Sequence, residues 1–207
     1  MLKTEVMDYA EQARKAGLDM VTLIMANGRR ETFRFHQEEQ FINMLKEEMK
    51  ETPIDIVLDY HGVLDTVKPT KQLCDEYKNV ACCSFVKRDS KFREKASHGI
   101  ASRVKEKQIK FGVLVFERGS FRNSDRFTYT KTGSKAWFCK LVSAKTFMDD
   151  GIDHCASVLH HNRSPDINIV YVRPDAAFKK RDVIKNQETL KNVLENVQIV
   201  PSLLGYF

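Results

Sequence analysis

The chain has 207 residues, 42% of them hydrophobic and 30% charged, the balance of one globular α/β domain or of a domain with a small appendage. It is apolar enough to bury a real core, yet no window approaches the ~20 apolar residues of a membrane span. The formal net charge of +6 is uneven: residues 1–55 hold 8 Lys/Arg against 11 Asp/Glu, whereas residues 86–145 hold 16 against 5.

The N-terminus, "MLKTEVMDYAEQARKAG", has neither the apolar stretch nor the small-residue cleavage site of a secretory signal. A soluble, intracellular and cytoplasmic protein is the expectation. Five cysteines (Cys74, Cys82, Cys83, Cys139, Cys155) are odd in number and lie mostly in apolar runs, which points to reduced core thiols rather than a disulfide framework. None has the C-x-x-C spacing of a zinc site.

In chain order, an amphipathic stretch near residues 4–16 leads into "LDMVTLIMANGRRETFRF", two β-rich runs joined at Asn27-Gly28. That dipeptide predicts a two-residue hairpin turn, whose central residues must tolerate positive φ. In "QEEQFINMLKEEMKE", Phe41, Leu45 and Met49 recur every four residues and predict a helix with one apolar stripe. Pro53 then marks a boundary. Residues 1–52 read as an N-terminal helix, β-hairpin and helix appendage, and residues 53–207 as the main domain.

Beyond Pro53, short and largely apolar runs at residues 54–58, 80–86, 111–116, 145–148 and 167–172 alternate with helix candidates at 70–78, 91–108, 135–143 and 151–161. Continuous apolar runs of this length suit strands buried on both faces, so the fold class expected is α/β, a doubly wound parallel five-stranded sheet covered by helices. The stretch 178–186, "FKKRDVIKN", links this sheet to an amphipathic "ETLKNVLENV" that forms a C-terminal helical tail. Ligands of such sheets bind beyond the carboxyl ends of the strands, where strand order reverses.

Two of the five predicted strands run into carboxylates there: the first into Asp59, the fourth, through "AKTFMDDG", into Asp149 and Asp150. If those strands are neighbours their acids converge, and like charges so placed repel unless a hard cation such as Mg²⁺ neutralises them. The plainer reading makes each acid a helix cap.

On these residues the chain resembles the haloacid dehalogenase (HAD) superfamily of phosphohydrolases. "IVLDYHGVLDT" is similar to its first motif, an apolar strand followed by Asp-x-Asp-Gly-(Thr/Val)-Leu, except that His61 stands at the second aspartate. Ser84 in "VACCSFV" resembles the second motif, Lys135 in "TGSKAWFCK" the third, with Lys131 and Lys140 as rivals, and Asp149-Asp150 the acidic pair of the fourth. The resemblance spans residues 54 to about 173. It implies a HAD-like sheet ordered 5-4-1-2-3, with the Asp59 and Asp149 strands adjacent. It also implies a Mg²⁺-dependent phosphatase in which Asp59 attacks phosphorus. The metal would be held by Asp59, the backbone carbonyl of His61, and Asp149 or Asp150; Ser84 would hydrogen-bond a phosphoryl oxygen and Lys135 balance its charge.

Family phosphatases use the second aspartate as general acid and base. Imidazole, with an unperturbed pKa of ~6.5, suits both roles near neutral pH, so His61 reads as a substitute acid/base, a relic of a retired site, or a substrate-binding residue. Only Asp65–Asn79 and Glu117–Ser134 are available for a lid, too little for a large cap. An open site suits a macromolecular phosphorylated substrate, a protein or a nucleic-acid end. Residues 122–133, "RNSDRFTYTKTG", read as a hairpin beside the site or as an ordinary surface loop. The alternative function is a catalytically inactive HAD-like module whose basic middle region binds nucleic acid or a protein partner. Residues 1–52 are a candidate homo-oligomer surface, because a hairpin and one helix bury too little to stand alone. His154, His160 and His161 lack zinc spacing, and Cys82-Cys83 reads as core packing.

Overall fold

The computed structural model describes residues 18–50, 52–66, 79–87, 92–117, 133–161, 167–173 and 187–206. The expected elements at 4–16, 70–78 and 122–132 lie outside them. Strands β1 (Leu18–Ile24) and β2 (Arg30–Arg34) pair antiparallel, with Val21 opposite Phe33 and Thr22 bonded to Thr32 through their hydroxyls at 2.8 Å. Their connection is longer than the two-residue turn expected of Asn27-Gly28. Gly28 N–H donates to the Met25 carbonyl (2.8 Å) and Met25 N–H to that of Arg29 (2.9 Å). Only Gly28 takes positive φ (82°), and the Asn27 carboxamide oxygen instead accepts from Arg29 N–H. The dipeptide serves as a turn residue followed by a left-handed glycine, a related hairpin geometry.

Helix α1 (Glu38–Met49) buries Phe41, Ile42 and Leu45. Strand β3 (Ile56–Leu58) follows, then β4 (Val80–Lys87), α2 (Phe92–Lys105), β5 (Phe111–Glu117), α3 (Gly133–Leu141), β6 (Thr146–Asp149), α4 (Ile152–His161), β7 (Asn168–Val172), α5 (Gln187–Glu195) and β8 (Gln198–Val200). The architecture is α/β. Among the described residues its sheet has eight strands where the apolar runs predicted five, in the order β2-β1-β5-β4-β3-β6-β7-β8. Every pairing from β5 to β8 is parallel, and β1 joins β5 antiparallel.

The three additional strands have a physical reason. An edge strand leaves its backbone groups unpaired, and the hairpin covers that edge of β5 while β8 covers β7. The described part of residues 1–52 is therefore continuous with the sheet. Phe41 stacks on Trp137 of α3 at 5.8 Å and meets Phe33 edge-on at 5.7 Å, and Lys110, just before β5, donates from Nζ to the last-turn carbonyl of Met49. At the C-terminal end the expected helical tail is a helix followed by a strand.

The core has two layers, one on each face of the sheet. Val57, Ala81, Cys83, Val113 and Phe147 pack with α1, α3 and α4, while Ile56, Leu58, Cys82, Leu114 and Met148 pack with α2. Cys82, Cys83, Cys139 and Cys155 are buried and unpaired, and burial raises the pKa of each thiol, which keeps them protonated and inert. Among the described residues no helix is long and apolar enough to cross a membrane.

Candidate active site

Strand β3 is the shortest of the central strands and lies between β4 and β6. Asp59 prolongs its ladder by one bond, N–H to the Met148 carbonyl at 2.9 Å, before the chain turns away. The turn is held by Leu64 N–H on the Asp59 carbonyl (3.2 Å), Asp65 N–H on the Tyr60 carbonyl (2.9 Å) and Gly62 N–H on Asp65 Oδ1 (2.7 Å). Gly62 has φ of 76°, and a Cβ there would lie 2.1 Å from Asp150 Oδ2. Glycine at this position thus serves twice, taking the left-handed conformation and admitting the Asp150 carboxylate.

Next door, β6 ends on Asp149, which pairs with Tyr171 and so shares the face that carries α3. Lys135, in the first turn of α3, reaches into the same place with 1% of its surface exposed. Its Nζ lies 2.5 Å from Asp149 Oδ2 and 3.0 Å from Asp59 Oδ1. The other Asp149 oxygen accepts from Gly151 N–H at 2.7 Å. Burial works against the charge on Lys135; Asp149 and Asp59 outweigh it and hold the ammonium pKa above the usual lysine value. Burial, reinforced by Asp149, pushes the Asp59 carboxyl above the ordinary aspartate value against the pull of Lys135 and His154.

A cation fits this donor set. Asp59, Asp149 and Asp150 each present a carboxylate oxygen, and these three atoms lie within 4.8 Å of one another. All three are hard oxygen donors of the kind Mg²⁺ prefers. Asp59 Oδ1 is buried 3.0 Å from the Lys135 ammonium, which Asp59 shares with Asp149. Two buried carboxylates thus share one ammonium, and a divalent ion beside them would add positive charge where the acids converge.

The remaining expected site residues are placed differently. His61 is about one-third exposed, its Nδ1 3.6 Å from Asp65 Oδ2. That contact raises the His61 pKa over the opposing effect of burial, and His61 with the Gly62 N–H holds Asp65 below the usual carboxylate value although burial works against it. Ser84 is fully buried, and its Oγ has no hydrogen-bond partner. Its register partner Leu114 belongs to the α2 layer, so Ser84 points to the sheet face opposite Lys135. The β4 residue on the face of Asp59, Asp149 and Lys135 is Cys83, paired with Val113. Of the rivals to Lys135, Lys140 is one α3 turn and more away and Lys131 lies outside the described residues.

Sequence reasoning set aside two residues that the fold brings here. Cys83 reads as packing and does belong to the apolar layer, on the face that also carries the acid cluster: burial lifts its pKa, and Lys135, Asp59 and Asp149 all act on it. His154, in the first turn of α4, approaches the ring of Phe85 at 6.2 Å and acts electrostatically on Asp59. The signal available in the sequence was its position five residues after the strand-ending Asp149. A groove of about 650 Å³ between α1 and the end of α3, lined by Lys46, Met49, Pro53 and Val142, opens at the other end of β3 and holds none of these residues. No family model, curated protein or solved structure matches the chain.

Proposed function

We propose that the chain is a HAD-like, Mg²⁺-dependent phosphohydrolase that uses Asp59 as nucleophile on a phosphorylated, macromolecular substrate. The observation that carries this reading is the buried Lys135 ammonium set between Asp59 and Asp149 at the ends of adjacent strands, with Asp150 alongside. A lysine and three acids placed for packing alone would impose a large desolvation penalty that an apolar cluster avoids. The central strand order β7-β6-β3-β4-β5 supports the same reading, since it is the order that the family resemblance implies.

In this mechanism a carboxylate oxygen of Asp59 bonds to phosphorus as the bond from phosphorus to the leaving oxygen breaks, and His61 delivers a proton to that oxygen. Water then attacks the aspartyl-phosphate, gives a proton to His61, and releases inorganic phosphate and the Asp59 carboxylate. Asp65 holds the His61 ring by its Nδ1 side. Lys135 keeps Asp59 oriented and offsets charge on the transferring group. Asp59, Asp149, Asp150 and the His61 carbonyl would hold Mg²⁺, which when bound screens the phosphoryl charge from the attacking carboxylate.

The test is release of phosphate from an aryl phosphate with and without Mg²⁺ across pH 5–8, in wild type, Asp59→Asn and His61→Asp. Activity in wild type that Asp59→Asn abolishes is expected; unchanged activity in Asp59→Asn refutes the mechanism. A second reading, an inactive module that binds nucleic acid or a protein partner, is favoured by Ser84, which lies on the sheet face away from Lys135. Turnover that appears only in His61→Asp would select it, and nucleic-acid binding that weakens steeply with salt would identify its ligand.

A further inference from the structure

Strand β3 stops at Leu58 while β4 runs on to Lys87, so Phe85 stands beyond the end of β3 on the same face as Cys83. From the other side of β3, α4 begins three residues after Asp149 and carries His154 in its first turn. The two rings come within 6.2 Å at 45°, from the strand on one side of Asp59 and the helix after the strand on the other. The two rings thus meet across the strand that leads into Asp59. A Cβ at Gly151 would meet His154 Cδ2 at 2.7 Å, so the glycine gives the imidazole its room.

His154 Nδ1 is buried and has no hydrogen-bond partner. A buried polar atom without a partner is unfavourable, and a phenyl ring at this place would pack on Phe85 without that penalty. A metal does not supply the partner: the atoms that meet within 4.8 Å belong to Asp59, Asp149 and Asp150. The side chain that carries this nitrogen acts electrostatically on Asp59, the residue that attacks phosphorus in the proposed mechanism. Resting on the phosphohydrolase reading, we propose that His154 is a substrate-binding residue whose Nδ1 hydrogen-bonds a phosphoryl oxygen at Asp59, with Phe85 setting the ring.

The experiment uses the full chain with Mg²⁺ and measures kcat and KM for an aryl phosphate together with inhibition by inorganic phosphate. His154→Phe keeps a ring against Phe85 and removes the nitrogen; His154→Asn returns an amide near the Nδ1 position, and His154→Gln puts it near Nε2. Loss of one hydrogen bond to a charged group predicts that His154→Phe raises KM and the phosphate inhibition constant about tenfold or more, that Asn recovers most of this, and that Gln does not. Wild-type turnover with both constants unchanged in His154→Phe overturns the assignment and leaves the phosphohydrolase reading standing. Should His154→Phe fail to fold, the Asn and Gln variants decide, and equal constants for the two overturn it. A wild type without turnover overturns both.

Discussion

Replacing Lys135 by methionine removes the ammonium between two buried carboxylates and leaves the length of the side chain almost unchanged. With 1% of Lys135 and none of Asp149 exposed, water cannot take over the role of the lost partner. Breaking a buried pair by deleting one member destabilises by about 3–5 kcal/mol. A second route to the number agrees. One of the acids can escape the repulsion by taking a proton, which at pH 7 and an ordinary carboxyl pKa near 4 costs about 4 kcal/mol, at ~1.4 kcal/mol per unit. Asp59, whose carboxyl burial already raises, takes it first. At pH 5 the same uptake costs only about 1.4 kcal/mol.

The sign follows from linkage. In the variant the folded pKa exceeds the unfolded one, so between the two values the folded chain binds more protons, and its stability falls as pH rises. For a chain of this size each kcal/mol moves the unfolding temperature by about 2–4 °C, so Lys135→Met should melt about 8–16 °C below wild type at pH 7 and about 3–6 °C below it at pH 5. Circular dichroism melts in chelator-containing buffer measure both gaps. Adding Asp149→Asn to Lys135→Met removes one of the opposed charges and should return much of the loss at pH 7. A gap that is the same at both pH values, or smaller than about 2 °C at pH 7, would refute the reasoning that Lys135 is held by charge.

Mg²⁺ should raise the melting temperature of the wild type in a saturable way, up to the equivalent of about 2.7 kcal/mol at a hundredfold excess over its dissociation constant, and Asp150→Asn should lose most of the response while melting normally in chelator. Gly62→Ala strains a backbone at φ 76° and drives a methyl group to 2.1 Å from Asp150 Oδ2; a loss of about 1–3 kcal/mol in urea unfolding is expected, together with a weakened Mg²⁺ shift. The His61–Asp65 pair stabilises over a bounded range. The raised His61 pKa contributes stability that is complete below its unfolded value and lost as pH rises through the folded one, and the lowered Asp65 pKa contributes stability that is lost as pH falls through its own folded value. Asp65→Asn should therefore destabilise most near pH 5–6 and hardly at all above pH 8, read from urea midpoints, and the difference should shrink in high salt because both side chains are about one-third exposed.

The parallel core of the fold was legible because its strands are buried on both faces: the run at 111–116 has no polar side chain and that at 80–86 only Ser84, and the observed β4 and β5 differ from them by one residue at an end. The outer strands were legible one at a time and not as members of the sheet. Periodicity shows that residues 18–34 form strands, but the partner of β1 is β5, about ninety residues on, and nothing local encodes that pairing. Strand β8 is three residues long with Ile199 exposed, too short and too mixed to stand out from the helix before it.

The candidate site divides in the same way. Asp59 and Asp149 were legible because each closes an apolar run, whereas Lys135 was singled out from Lys131 and Lys140 only by the family resemblance. Which face of the sheet a side chain takes is a different kind of information. Alternation fixes the faces within one strand, but relating two strands needs their register, and a shift of one residue reverses every assignment. The pairing of Leu58 with Cys82 puts Cys83, not Ser84, beside the lysine and the acids, and puts Phe85 on that face to meet His154. A serine ending an apolar strand was the natural choice from the sequence, and the register moves the contact by one position. On the proposed phosphohydrolase reading, the phosphoryl contacts would then come from the helices after β6 and before it, His154 and Lys135, more than from β4. For the same reason a Ser84→Ala variant tells little about that reading, whereas the paired His154 and Lys135 variants test both the anion contact and the nucleophile that it proposes.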